Sequence, residues 1–536
     1  MYVNRLVEFA EQQIDQFPPP YYKEKTIQWL ATVESDGSVS FLRLTEQANY
    51  TVPDLARSGK HPKPQLLVDN ASFVFGIPNH SSRQASYVKL LEECFHKTHN
   101  LDIERVCTAI KDQQYTVPVE MEASDLILFR IGTDTFPHKH HDVQMFWEAH
   151  VRTHKESLHQ SVCFVCGKFG PTVKSHSSTF SIVGGLQPRL ISANERAFYS
   201  YGLESAYTSP TCFACEEAYG RALTHLLGQR NGLKTNDNAY TFRIADITYV
   251  FWSKQSESIT ITGLIDTPDP KAVKELLSSP FSAKKKQPLA DFYILALSAN
   301  KGRLVVREYH EQPSWKVEEH VQRFFTSQAV DDHNYYSVYR LASAMFREPQ
   351  KEMKQMKVAI QHWINWAIYG EPLPTSIAAR LLKRIQVTGN LTVVMSASIK
   401  SWLNSQQQEE WTITLDPKRQ TAAYLCGRLF ATLEKVQQTA IGGNDSLASR
   451  YFSRTATTPK SAFVPLIINY HHYSNKLRQN EQTKGLSYYY DQILTSVTEN
   501  LDEFPAHLDI YSQAEFALGY AHQKNDFYKK KGENAG

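Results

Sequence analysis

The chain has 536 residues, 42% of them hydrophobic and 21% charged, the balance of a globular protein with room for about two to four domains and a large buried core. Its formal net charge is only +3, so the molecule as a whole offers no basic field to nucleic acid and any such footprint must be local. No run of about 18 apolar residues occurs, the opening "MYVNRLVEFAEQQIDQF" is an amphipathic helix pattern rather than a signal peptide, and seven cysteines, four of them in C-x-x-C pairs, suit a reducing compartment, so a cytoplasmic protein without a membrane span is expected.

After the opening helix, "PPPYY" at Pro18–Tyr22 makes a rigid extended turn. "TIQWLATV" and "VSFLRL" flank "ESDGS", where Asp36–Gly37 predicts a β-hairpin. Gly59, Pro62 and Pro64 stop regular structure in "ARSGKHPKPQLLVDN", a loop that carries Arg57, Lys60, His61 and Lys63. A helical pattern resumes over Ser82–Thr98, and "DLILFRIG" then reads as a strand. The cysteine segment runs over about 160–230 and ends in a helix, "CEEAYGRALTHLL". "FRIADITYVFWS" is a strand run and "AKKKQP" (Ala283–Pro288) a solvated linker, followed by a second hairpin, "DFYILALSANKGRLVVREYH", turning at Asn300–Lys301–Gly302. Beyond about residue 315 the pattern is helical almost to the end, with Leu425, Leu429, Leu433 and Val436 on one apolar helix face. The expected fold class is α+β. A mixed α/β N-terminal region over 1–340, with an inserted four-cysteine zinc lobe at about 160–230, precedes an α-helical bundle domain over 341–536.

Charge is unevenly placed. Between Thr421 and Tyr490, eight basic residues (Arg428, Lys435, Arg450, Arg454, Lys460, Lys476, Arg478 and Lys484) face only Glu434, Asp445 and Glu481. The last 46 residues reverse the balance, with eight acids against four lysines. A near-neutral total therefore hides a basic helical region with an acidic end.

Cys163, Cys166, Cys212 and Cys215 are the strongest local signal. A two-residue gap lets both thiolates of a knuckle reach one ion, and four sulfur ligands close a zinc tetrahedron with no position left for water. The expectation is a structural zinc, with bystander thiols as the alternative and His176 as a possible substitute ligand. "PHKHHDVQMFWEAHVRTH" gathers His138, His140, His141, His150 and His154 around Asp142, which suggests either a metal-dependent phosphohydrolase or nuclease, or simply a helix start with Asp142 at its N-terminus. No G-x-x-x-x-G-K-[ST], G-x-S-x-G or H-E-x-x-H motif accompanies it. In the loop Arg57–Asn70, cations sit with the amides Gln65 and Asn70; Lys and Arg neutralise phosphates, while Asn and Gln read base edges. Tyr451 and Phe452 are stacking groups or bundle core.

The blocks "RSGKHPKPQLLVDNASFVFGI", "FRIGTDTFPHKHHDVQMFW", "CFVCGKFGPTVKSHSSTFSIVGG" and "AFYSYGLESAYTSPTCFACEEAYGRALTHLL", and the long block from Leu415 to Leu477, follow one another in this order. Together they resemble the large subunit of type I-C CRISPR interference complexes (Cascade). The resemblance implies a non-catalytic subunit that reads a short protospacer-adjacent motif (PAM) in duplex DNA, promotes strand opening and R-loop stabilisation, and helps recruit a helicase-nuclease, while a guide RNA supplies sequence recognition. Its implied partners are double-stranded target DNA, the displaced single strand, and the guide-RNA complex through its backbone and RNA-processing subunits. A small subunit translated from an internal start is implied as well, and Met395, the last methionine, would release 142 residues, though a non-AUG start at a Val or Leu codon serves equally. On this reading Arg57, Lys60, Lys63, Gln65 and Asn70 are PAM-contact candidates. Arg428, Arg450, Arg454, Lys460, Lys476 and Arg478 are candidates for the displaced strand.

Overall fold

The computed structural model describes residues 1–12, 17–55, 62–154, 159–180, 182, 188–193, 195–228, 240–244, 246–253, 264–278, 291–300, 302–331, 334–406, 410–442 and 447–528. The chain divides into two units: Met1–Thr241 with Asp246–Lys254 and Tyr293–His310, and Phe242–Ala245 with Gln255–Phe292 and Glu311–Gly536.

The first unit opens with α1 (Tyr2–Gln12), whose Val3, Leu6, Val7 and Ala10 recur at helical spacing and are all buried. β1 (Tyr22–Val33) and β2 (Val39–Pro53) form the expected hairpin, and Gly37 takes a φ of +89° at its turn. There follow β3 (Val68–Asn70), α2 (Ala71–Val74), α3 (Ser81–Thr98), α4 (Leu101–Lys111), β4 (Leu126–Ile131) and α5 (His141–His154). The strands make one sheet in the order β2-β1-β4-β3, with β1 parallel to β4 from Trp29↔Ile127 to Val33↔Ile131. Because side chains alternate along a strand, Trp29, Ala31 and Val33 join the apolar cluster that holds Tyr87 and Leu91 of α3, Val106 of α4 and Trp147 of α5. Leu30 and Leu128 point the other way, into a smaller cluster with Val52 and Val68.

The remaining elements before the helical region are β5 (Gln160–Val162), β6 (Phe169–Pro171), α6 (Phe213–Leu226), β7 (Thr241–Ile244), β8 (Ile247–Ser253), β9 (Phe292–Asn300) and β10 (Arg303–Gln312); most of β7 and the outer ends of β9 and β10 are counted with the second unit. The run "FRIADITYVFWS" is thus two strands rather than one. A second sheet has the order β10-β9-β8-β7, and β5 pairs with β6 in a short hairpin. Val250, Trp252, Tyr293, Leu295 and Leu297 share a core with α1, α6 and the sulfurs' own residues Cys163 and Cys215.

The second unit is helical: α7 (Pro270–Ser278), α8 (Ser314–Gln328), α9 (Val338–Ser343), α10 (Met353–Ile364) running into a π-helical turn at Asn365–Tyr369, α11 (Thr375–Thr388), α12 (Val393–Ser405), α13 (Ala422–Ile441), α14 (Leu447–Thr457), α15 (Pro459–Arg478), α16 (Lys484–Thr498) and α17 (Ile510–Asp526). The architecture is the expected α+β: sheets with helices first, a helical bundle after. α13 carries the predicted apolar stripe but is buried nearly all round, since α14, α15, α16 and α17 surround it. Two glycines set its approach to α17. A Cβ on Gly427 would lie 2.0 Å from the Phe516 carbonyl oxygen, and one on Gly519 would lie 2.3 Å from that of Tyr424. No helix among the described residues is long and apolar enough to cross a membrane.

Candidate metal centre and nucleic-acid surface

The two C-x-x-C pairs converge. The Sγ atoms of Cys163, Cys166, Cys212 and Cys215 all lie within 4.8 Å of one another, and Cys166 and Cys212 are 3.8 Å apart. Each pair is shaped by its backbone. In the first, the Gly167 N–H donates to the Cys163 carbonyl at 2.9 Å and the Cys163 N–H to Lys168 at 2.9 Å, closing a tight turn at the end of β5. In the second, Cys212 caps the N-terminus of α6 and its N–H donates to the Cys163 sulfur at 3.3 Å. A tetrahedral ion with sulfurs at thiolate–zinc distance sets them about 3.8 Å apart. The set therefore fits one closed four-sulfur ion, and the four cysteines could hold a metal.

The thiols also differ electrically. The hydrogen bond from Cys215 pushes Cys212 down to about 5, and the same bond, with burial, pushes Cys215 up. Burial raises Cys166 as well. His176 stands outside this set; it is buried, with Nδ1 2.6 Å from the Tyr219 hydroxyl. Glu216, one residue past Cys215 and 1% exposed, accepts from the N–H groups of Ser177 and Ser178 at 2.8 and 3.1 Å, tying the segment after the first pair to α6. The remaining three cysteines, Cys94, Cys107 and Cys426, are buried, and burial pushes Cys94 and Cys426 up to about 12.

The histidine stretch does not assemble a second centre. His138 is 0% exposed beneath β1, where its carbonyl accepts from the Tyr22 hydroxyl at 2.8 Å, and burial lowers its imidazole to about 4. Asn100 lies 3.0 Å from Nδ1 of His140 and donates to Asp142 at 2.9 Å, while His150 stacks on Trp147. The His154 side chain is outside the described residues. Among the described residues, the four cysteines are the only group of three or more His, Cys, Asp or Glu side chains with converging ligand atoms.

Arg57, Lys60 and His61 also fall outside the described residues, but the base of their loop is well defined. Lys25 on β1 makes an ion pair with Asp54 at 2.7 Å and donates to Gln65 Oε1 at 2.7 Å, so one ammonium ties both ends of the loop. Gln65 completes the stitch: Nε2 donates to the Leu55 carbonyl at 3.1 Å, and its N–H donates to the buried Asp69 carboxylate at 2.7 Å. Burial works to raise Asp54, but Lys25 and Lys23 outweigh it and hold the carboxyl below its usual range. Lys63 is exposed and Asn70 half-buried. The candidate amide Gln65 is therefore committed to the loop's own base. The sequence shows no sign of this, because Lys25 lies 40 positions away.

In the helical unit the six displaced-strand candidates separate. Arg428 is 8% exposed and turned inward, donating from Nε to Gln523 at 3.1 Å. Arg478 is exposed but bonded to Asp491 at 2.6 Å, and Lys460 lies 3.5 Å from Glu503, so the acidic end of the chain folds back onto part of the basic region. Arg450, Arg454 and Lys476 are exposed. Arg450 and Tyr451 line a concavity of about 80 Å³ between α13, α14 and α15, with Asn469 and Tyr473 on its far wall. Phe452 is core, packed on Phe430, Phe516 and Tyr520.

No curated protein matches this chain. The family model of the CRISPR-associated protein (Cas_Csd1) matches residues 2–528, from the first helix through the cysteine lobe to the helical bundle, and the chain belongs to that family.

Proposed function

We propose that this chain is the non-catalytic large subunit of a type I-C CRISPR surveillance complex. It reads the PAM in duplex DNA, promotes strand opening, holds the displaced strand and helps recruit the helicase-nuclease. The observation that carries this reading is the family match over residues 2–528, together with the block resemblances along the same span. The tethered base between Asp54 and Gln65 supports it, since it fixes to β1 the two ends of the stretch whose sequence carries Arg57, Lys60 and Lys63. The exposed Arg450, Arg454 and Lys476 supply phosphate neutralisation for a single strand. The ion at the cysteines is zinc and is structural, because four thiolates leave it no open coordination position. Guide-RNA backbone and processing subunits, a small subunit and the helicase-nuclease are the protein partners.

The test is reconstitution with the guide-RNA complex. PAM-bearing duplex is expected to bind more tightly than the same duplex with the PAM scrambled. In the Lys60→Ala, Lys63→Ala double variant, affinity falls and the slope of log affinity against log salt flattens by about 2. Equal binding to both duplexes would sink the reading, and an unchanged salt slope would remove the loop from the interface.

A further inference from the structure

Between the two cysteine pairs the chain carries a stretch that contributes little to the core. Residues 195–202 are exposed throughout, including Phe198 (41%), Tyr199 (38%) and Tyr201 (100%). A 3-10 turn at Arg196–Phe198 leads into a two-residue hairpin, in which the Leu203 N–H donates to the Ser200 carbonyl at 2.9 Å and the Ser200 N–H to Leu203 at 3.3 Å. Its two tip residues, Tyr201 and Gly202, have φ of +52° and +72°. Turns of this kind ordinarily take Asn-Gly or Asp-Gly. A tyrosine in the left-handed region is strained by its own Cβ, and here its ring, 100% exposed, recovers nothing by burial.

The strained tip stands on a rigid base. The Tyr207 ring stacks on His159 at 4.2 Å and 22°, the Ala206 N–H donates to Lys174 at 3.1 Å, and the Val173 N–H donates to Thr211 at 2.9 Å, next to Cys212. The cysteine centre thus closes both ends of the segment that bears the hairpin. Two guanidinium groups stand by the rings: that of Arg303 lies over Phe198 at 4.2 Å and Arg196 is exposed, while the exposed Glu195 and Glu204 flank the stretch on either side. Flat rings interleaved with guanidinium groups are the chemistry that holds unpaired nucleobases without regard to sequence. The stretch offers only Ala197 as an aliphatic group, which suits a stacked base better than an apolar protein patch.

We infer that the hairpin at Ser200–Leu203, with the rings of Phe198 and Tyr199 leading into it and that of Tyr201 at its tip, is a stacking element for unpaired bases of opened DNA, held out from the protein by the cysteine centre. This rests on the DNA-reading role proposed above and assigns it a contact.

The test uses the purified full chain with labelled oligodeoxythymidylate and, in parallel, oligouridylate. Two variants separate stacking from folding: Tyr201→Ala removes the ring, and Tyr201→Asn removes it while suiting the left-handed turn, so its Tm should hold or rise. Both are expected to lose about tenfold in affinity for the DNA oligomer, within the range of one stacked base, with the salt slope unchanged. Arg303→Ala should instead lower that slope by about 1. Failure of the wild-type chain to bind the DNA oligomer would overturn the inference, as would unchanged affinity in Tyr201→Asn or a loss confined to the RNA oligomer. PAM-dependent duplex binding by the assembled wild-type complex is measured separately. Its failure removes the proposed function, whereas the oligomer result alone removes only the hairpin. Variants that lose complex assembly but keep oligomer affinity would mark the hairpin as a protein contact and overturn the inference.

Discussion

His138 shows how far a side chain's neighbours decide its role. In the sequence it is one of five histidines beside an aspartate, a pattern open to metal chemistry; in the fold it is fully buried under the first sheet. Burial, with Lys139 beside it, lowers its pKa to about 4, against an ordinary value near 6.5. Between those two values the unfolded chain binds a proton that the folded chain excludes, so stability rises with pH across the window and falls as pH drops from about 6.5 toward 4. His176 shifts the same way, also chiefly through burial. At pH 5 the His138 contribution amounts to about 2 kcal/mol relative to pH 7. His138→Leu should remove it: urea unfolding at the two pH values should show the variant losing about 2 kcal/mol less than wild type. Equal losses would mean that His138 finds a proton-accepting environment after all. Gln65 teaches the same lesson about polar side chains. An amide in a cationic loop reads as a base contact until Lys25 and Asp69 are brought to it from strands that the local sequence does not announce.

At the scale of elements, legibility followed the range of the interaction that fixes each one. The β1–β2 hairpin, α3, α6 and the cysteine knuckles were readable because a turn dipeptide, a periodic stripe or a C-x-x-C spacing is complete within a few residues. α4 was missed, although Asn100 caps it by accepting from the Asp102 and Ile103 N–H groups at 3.0 and 3.4 Å; the cap lies in a short polar gap after α3 that reads as a loop. The contact of α13 with α17 is not readable from the local sequence, because it depends on Gly427 facing the Phe516 carbonyl and Gly519 facing that of Tyr424, across two helices far apart in the chain. That contact makes a prediction of unusual sign. In an exposed helix, Gly→Ala stabilises by up to about 1 kcal/mol. At Gly427 the new Cβ would sit 2.0 Å from a backbone oxygen, so Gly427→Ala should destabilise by about 3 kcal/mol through forced separation of the pair. A raised Tm would show that the helices are not in that contact.

The cysteine lobe allows a similar test. Cys166→Ser removes an exposed thiol of the cluster and leaves the core residues Cys163 and Cys215 in place. Wild type should carry one zinc per chain and the variant far less, with a Tm lower than wild type by more than chelation lowers the variant's own. A metal-free wild type of unchanged Tm would refute the site.

For the whole molecule, the arrangement of the helical unit bears on which fragment of it can stand alone. A start at Met395 lies inside the first turn of α12 and discards the Thr392 hydroxyl that accepts from the Met395 N–H at 3.3 Å. More is lost than a cap. α12 is buried on all sides, Ser396, Ser398 and Ser401 included, because α8, α9 and α11 cover the faces that α17 does not. Lys400 depends on α8 in particular: its Nζ donates to the Thr326 and Ser327 carbonyls at 3.1 and 3.3 Å, and burial lowers its pKa to about 8. Asn404 bonds the same Ser327 carbonyl at 3.1 Å, and Ser401 meets the Ser327 hydroxyl at 2.8 Å. A chain beginning at Met395 would turn these groups toward water, together with apolar side chains of α12 that α8, α9 and α11 cover, and exposing two large ones alone forfeits about 4 kcal/mol. A fragment that begins before α8, at Glu311, keeps every one of these contacts. Expressed separately, 311–536 should unfold cooperatively, and 395–536 should melt about 10 °C lower or remain without a transition, with early amide exchange throughout α12. Matching melting curves would show that α12 is stable without α8, and would leave Met395 a structurally sound beginning for an independent helical subunit.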